Sequence, residues 1–104
     1  MSKVLKLMPD YHCFPVWKAG GEVGNVDPDD LPLTGDLKAA LRAWAAAYDA
    51  TLNQEYPPDS GFASPAEEEE FEAEGRRLWR ELQAQLGPEY QVVYHSQREG
   101  RLCE

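Results

Sequence analysis

The residues best suited to metal or nucleophilic chemistry are few. His12, Cys13, His95 and Cys103 are the only strong transition-metal ligand types in the 104-residue chain. His12 and Cys13 are adjacent, and neither a C-x-x-C nor an H-x-x-x-H spacing occurs, so no short segment aims two of them at one ion. Nucleophilic catalysis would need Cys13 activated by a base within reach. His12 is poorly placed for that, because neighbouring side chains of an extended segment point to opposite sides. His95 would serve only if a late strand lay beside the first one. The competing reading is a packing thiol and a surface imidazole. From this set we assign no catalytic residue, no metal ligand and no cofactor.

Carboxylates are the more abundant functional groups, and they come in runs. Asp27-Pro28-Asp29-Asp30 could open a calcium loop, but such a loop needs Gly at its sixth position and Glu at its twelfth. Those positions hold Pro32 and Lys38. Gly20-Gly21-Glu22-Val23-Gly24 lacks the Lys and the following helix of a phosphate cradle, and its acids would repel phosphate. Residues 67–74 contain six glutamates: Glu67, Glu68, Glu69, Glu70, Glu72 and Glu74. At a helix start they answer the macrodipole, and Glu72 with Arg76 and Glu74 with Arg77 have ion-pair spacing. Four consecutive like charges exceed that need. They read either as a solvated face or as a patch turned toward a partner.

The whole-chain balance agrees with a protein partner. Ten bases against 19 acids give a formal net charge of −9, which disfavours nucleic acid and anionic lipid. Residues 21–75 alone carry −12, while residues 1–20 carry +2 and residues 76–104 carry +1. Three aromatic residues, Trp17, Tyr56 and Phe62, fall in or beside this acidic stretch and read as loop residues. Aromatic anchors ringed by charge suit a protein interface, although loop aromatics can equally tuck under the loop. The interface candidates are therefore Trp17, Glu22, Asp27, Asp29, Asp30, Glu55, Tyr56, Asp59, Phe62, Glu67, Glu68, Glu69 and Glu70.

Few elements are available to position these groups. Val4 to Met8 reads as a strand closed by Pro9-Asp10. Phe14 to Trp17 and Glu22 to Val26 could pair as a short hairpin. Thr34 caps a helix running from Gly35 to about Leu52, with Leu37, Leu41, Trp44, Tyr48 and Leu52 on one face. Tyr56-Pro57-Pro58 excludes regular structure. Ser64, Pro65 and Glu67 form a helix start with a capping box, and Gly87-Pro88 stops that helix after Leu86. Its buried stripe is Phe71, Gly75, Leu78, Leu82 and Leu86, with Trp79 on the flank. Gly75 costs about 1 kcal/mol relative to Ala inside a helix, so it implies close approach of the first helix. Tyr90 to Tyr94 reads as the last strand, which leaves Cys103 in a tail. The resulting fold class is α+β: a small sheet packed against an antiparallel pair of helices, within one domain spanning residues 1–104.

Leu7-Met8-Pro9-Asp10-Tyr11-His12-Cys13-Phe14-Pro15-Val16-Trp17, Asp30-Leu31-Pro32-Leu33, Trp44 to Asp49, and Ser60-Gly61-Phe62 carry a resemblance. The chain resembles small acidic bacterial immunity proteins of polymorphic and contact-dependent growth inhibition toxin systems. These motifs are not catalytic, and no functional residue transfers with them. The resemblance implies an inhibitor without enzymatic activity that neutralises a cognate toxin domain, and the acidity implies that this domain is basic. The absence of a signal peptide and of an 18-residue apolar run implies a cytoplasmic location. An interaction module without a toxin partner is the alternative. A small enzyme using Cys13 and His95, or the carboxylates, is the remaining one.

Overall fold

The computed structural model describes residues 3–21, 24–51, 61–62, 64–96 and 99–103. Five strands form one mixed sheet: β1 (Lys3–Leu7), β2 (Val16–Lys18), β3 (Asn25–Val26), β4 (Tyr90–Ser96) and β5 (Arg101–Cys103), in the order β3-β2-β1-β4-β5. The central pair, β1 and β4, is parallel, with Lys3 opposite Tyr90 and Leu7 opposite Tyr94. All other pairs are antiparallel. Helices α1 (Gly35–Asp49) and α2 (Pro65–Leu86) follow a 3-10 turn at Pro28–Asp30. They run antiparallel, because the α1 cap residue Thr34 bonds Gln85 near the end of α2. The α+β class and the helix layer on the sheet are as the sequence implied.

Local chemistry sets the element ends. Thr34 Oγ1 accepts the Leu37 amide at 3.2 Å and Ser64 Oγ accepts the Glu67 amide at 3.3 Å, relieving unpaired donors at each helix start. Helix α1 ends at Asp49, short of Leu52, which lies outside the described residues. The Thr51 hydroxyl donates to the Tyr48 carbonyl at 2.6 Å and competes with helix continuation. Gly87, at φ +76°, ends α2. The hairpin forms as β2 and β3, with Phe14 outside it. The Asn25 amide group bonds Phe14 and Val16 backbone and staples that corner.

Two strand readings need correction. The strand at Tyr90 continues to Ser96 and is not the last, and Cys103 lies in β5 rather than a tail. The turn at Glu99-Gly100, with Gly100 at φ +65°, returns the chain onto β4. Trp17 likewise sits in β2 and not in a loop.

One core joins the sheet to both helices. Leu5, Leu7, Val16, Val92 and Tyr94 from the sheet meet Leu37, Leu41 and Trp44 of α1 and Phe71, Leu78, Leu82 and Leu86 of α2, with Leu31 and Leu33 beside them. Gly75 is the notch in this packing. A Cβ built there would lie 2.7 Å from Trp44 Cζ2 and 2.6 Å from the Tyr94 hydroxyl. The close approach expected of α1 is thus real, and β4 shares it. Trp44 also stacks on Phe71 at 4.6 Å and donates its indole N–H to the Phe71 carbonyl at 3.0 Å.

Helix α2 also closes an open stretch of sheet edge. The backbone of β4 at Val92 faces away from β1, and β5 reaches only Tyr94 to Ser96. Gln83 fills the gap, accepting the Val92 amide at 2.8 Å and donating to the Tyr90 carbonyl at 2.8 Å. Trp79 donates to the Val92 carbonyl at 2.7 Å. Side chains thereby satisfy groups that would otherwise recruit a foreign strand.

Candidate functional site

Two polar constellations stand out, one buried and one open. In the buried one, Glu72 of α2 is only 7% exposed. Its carboxylate accepts from the Tyr94 hydroxyl at 2.9 Å, the Ser96 hydroxyl at 2.7 Å and Arg76 Nε at 3.2 Å. Arg76 continues to Glu99 at 3.1 Å and lies over the Tyr94 ring. Sequence reading placed Glu72 with its glutamate neighbours on a solvated or partner-facing run, whereas it faces β4. The available signal was its register: Glu72, Trp79 and Gln83 form a row beside the apolar stripe, and each bonds β4.

This cluster holds the kinds of group that move protons, yet every one has a structural partner. It anchors α2 to the sheet. Burial, followed by the Glu72 hydrogen bond, raises the Tyr94 pKa well above its ordinary value. The native state therefore keeps this phenol neutral at pH values where an unfolded chain ionises it. The stabilisation is fully present below about pH 10 and is lost as pH climbs further toward the folded pKa. Denaturant titrations should show midpoints falling between about pH 10 and 11.5, and Tyr94→Phe should flatten that fall. An equal fall in both proteins would refute this assignment.

Among the described residues no hydrogen bond joins His12, Cys13, His95 and Cys103 to one another, and Cys103 Sγ instead reaches Glu99 at 3.8 Å. Cys13 and Cys103 are free thiols. Cys13 makes no hydrogen bond to either histidine among the described residues. The His12 amide donates to Asp49 at 2.9 Å, and Tyr11 stacks on Tyr48 at 4.6 Å, so this loop docks on the end of α1. His95 pairs with Leu102 across β4 and β5, and its Nδ1 is buried without a hydrogen-bond partner among the described residues. Among those residues no three His, Cys, Asp or Glu side chains are grouped to hold a metal ion. No helix among them is long and apolar enough to cross a membrane.

The open constellation is a groove of about 580 Å³ between α1 and α2. Ala40, Ala43 and Ala47 of α1, with Ala50 at its C-terminal cap, line one side at helical spacing, with Trp44 beneath. Phe71 of α2 and Phe62 line it as well, with their rings 5.0 Å apart. Glu67, Glu70 and Glu74 form its α2 rim, and Glu74 also pairs with Arg77. The groove exists because α1 offers mainly methyl groups at its surface, over the buried Trp44, where α2 offers the Phe71 ring and carboxylates. Surface alanines exclude little space, so a partner's backbone can come close.

The sequence candidates divide accordingly. Phe62, Glu67 and Glu70 converge on the groove, while Glu68 and Glu69 occupy the same helix start. Asp27, which caps the 3-10 turn, and Asp29 within it lie apart from the groove, and Arg42 reaches them at 3.8 and 2.5 Å. That guanidinium holds the Asp29 carboxyl below its ordinary range and offsets part of the local negative charge. Asp30 is exposed beside them. Trp17 is half-buried and donates to the Met8 carbonyl at 3.0 Å, tying β2 to the end of β1. Glu22, Glu55, Tyr56 and Asp59 lie outside the described residues. The alanine row was legible as helix-forming sequence, but its role as a groove wall depends on where α2 lands.

A comparison with protein families matches residues 3–97 to a family described as Serratia CdiI immunity protein-like. No curated protein matches the chain.

Proposed function

The chain belongs to the Serratia CdiI immunity protein-like family, and from that premise we propose that it is a cytoplasmic inhibitor that binds and neutralises a basic cognate toxin domain through the acidic surface at the start of α2. It acts by occupancy and performs no chemistry on its target. One observation carries the placement: Glu67, Glu70 and Glu74 rim a groove walled by Phe62, Phe71 and alanines. That arrangement supplies an apolar contact area with charge at its edge, the composition that protein interfaces favour. Clustered carboxylates would steer a basic partner and speed its encounter.

Co-expression with the toxin domain encoded beside this chain's gene should restore growth, and persistent killing would refute the inhibitor reading. The electrostatic part has its own measurement. The triple variant Glu67→Gln, Glu70→Gln, Glu74→Gln should slow association about ten-fold or more at low salt and flatten the salt dependence. Association that is fast, unaltered by the substitutions and indifferent to salt would remove the acidic surface from the account.

A further inference from the structure

We infer that the groove between α1 and α2 seats one amphipathic helix of the toxin domain, its apolar stripe on the alanine wall and its Lys or Arg side chains facing Glu67, Glu70 and Glu74. This rests on the toxin-binding reading above and adds a place and a partner shape.

The form of the occupant follows from what the groove offers. Both walls are helices whose backbone groups are bonded internally, so an incoming strand would find no ladder there and would bury unpaired amides. A helix brings its own backbone already satisfied. Ala40, Ala43, Ala47 and Ala50 extend over eleven residues, or about 15 Å along the axis, enough for nearly three turns of a partner. Their methyl groups allow the interaxial approach of about 8–10 Å typical of packed helices. Phe62 is the partly exposed ring of the groove, suited to a branched apolar residue on the occupant.

The charge of the occupant follows from the rim. Glu67, Glu70 and Glu74 stand at i, i+3 and i+7 on α2, so they share a side and span about 10 Å. A basic row at the same spacing on a neighbouring helix would meet them in register. The α1 side of the groove presents alanines, Trp44 and, just past the helix, Thr51, and no charged residue. The cations of the occupant therefore belong on one flank only.

The test uses the full chain and the purified toxin domain encoded beside its gene. Ala43→Trp with Ala47→Trp fills the groove from exposed helix positions and leaves every charge in place. The expected result is an affinity loss of about 100-fold, mostly as faster dissociation, with an unchanged melting temperature. If that pair lowers the melting temperature, the smaller Ala47→Gln replaces it, with a loss of about ten-fold expected. Affinity within about two-fold of the parent overturns the groove, whatever the glutamate variants do. If the glutamate variants alone weaken binding, the acidic-surface reading survives without the groove. A photo-crosslinking residue at Ala47 identifies the occupant. Capture of a toxin helix with Lys or Arg three or four residues apart supports the inference. Capture of an acidic or extended segment, or no capture, overturns it.

Discussion

Glu72→Ala is expected to lower the unfolding free energy by about 3 kcal/mol, more than removal of any other single glutamate. The carboxylate takes three donors at once: the Tyr94 phenol, the Ser96 hydroxyl and Arg76. Truncation leaves two buried hydroxyls and a half-buried guanidinium short of an acceptor, and each unmet group costs about 1–3 kcal/mol. Glu72→Gln keeps the volume and an acceptor, so it should cost less. The combination Glu72→Leu, Tyr94→Phe, Ser96→Ala removes the carboxylate with both buried hydroxyls, leaves Arg76 its pairing with Glu99, and should recover part of the loss. Urea unfolding of these variants separates the two contributions. A Glu72→Ala change below about 0.5 kcal/mol would mean that the network adds nothing to the fold.

The second large effect is expected at Gly75. Helix propensity alone favours Ala over Gly by about 1 kcal/mol, so an unconstrained helix would gain from Gly75→Ala. Here the added carbon would overlap Trp44 and Tyr94 at 2.7 and 2.6 Å. Both rings are held, Trp44 by Phe71 and Tyr94 by Glu72. Overpacking of about 1–3 kcal/mol then outweighs the propensity gain, making Gly75→Ala a net loss and Gly75→Leu a loss of about 3 kcal/mol. A rise in melting temperature for Gly75→Ala would show that the rings yield more readily than their bonds imply.

The helices were the most legible part of the chain, for local reasons. Ser64-Pro65 with Glu67, and Gly87-Pro88, determine backbone geometry within a few residues, and the stripe from Phe71 to Leu86 reports which face is buried. The family resemblance resting on Leu7 to Trp17, Trp44 to Asp49 and neighbouring motifs agrees with the match over residues 3–97. Strand order was not legible, because β1 and β4 are nearly a whole chain apart and either could have paired elsewhere. Strand β5 has only three residues, and its hydrophobic pattern is too short to reveal alternation. Glu72 misled because Glu70 and Glu74 stand two residues away on either side of it. In a run of glutamates, charge gives no sign of which one turns inward.

Half of the candidate site was readable as composition and half only as geometry. Glu67 and Glu70 announce themselves as a charge run, and Phe62 as an aromatic residue in a polar loop. That they border one groove depends on the α1–α2 crossing, which Gly75 and Trp44 bring close. The same crossing turns the α1 alanines from neutral helix surface into a wall.

The parallel pairing of β1 with β4 has a consequence for the order of events during synthesis. Strand β1 emerges from the ribosome before both helices, but its central partner β4 emerges only after them. Both helices can form early, yet their apolar faces meet only the β3-β2-β1 part of the sheet until Tyr90–Ser96 appears. A pairing so distant in sequence makes for slow, late assembly. Chains interrupted before β4 lack the strand that receives Glu72, Gln83 and Trp79, and they expose leucines that cellular proteases and chaperones recognise. Folded protein is thus drawn only from chains carried through β4, and interrupted synthesis yields no partial product with this architecture.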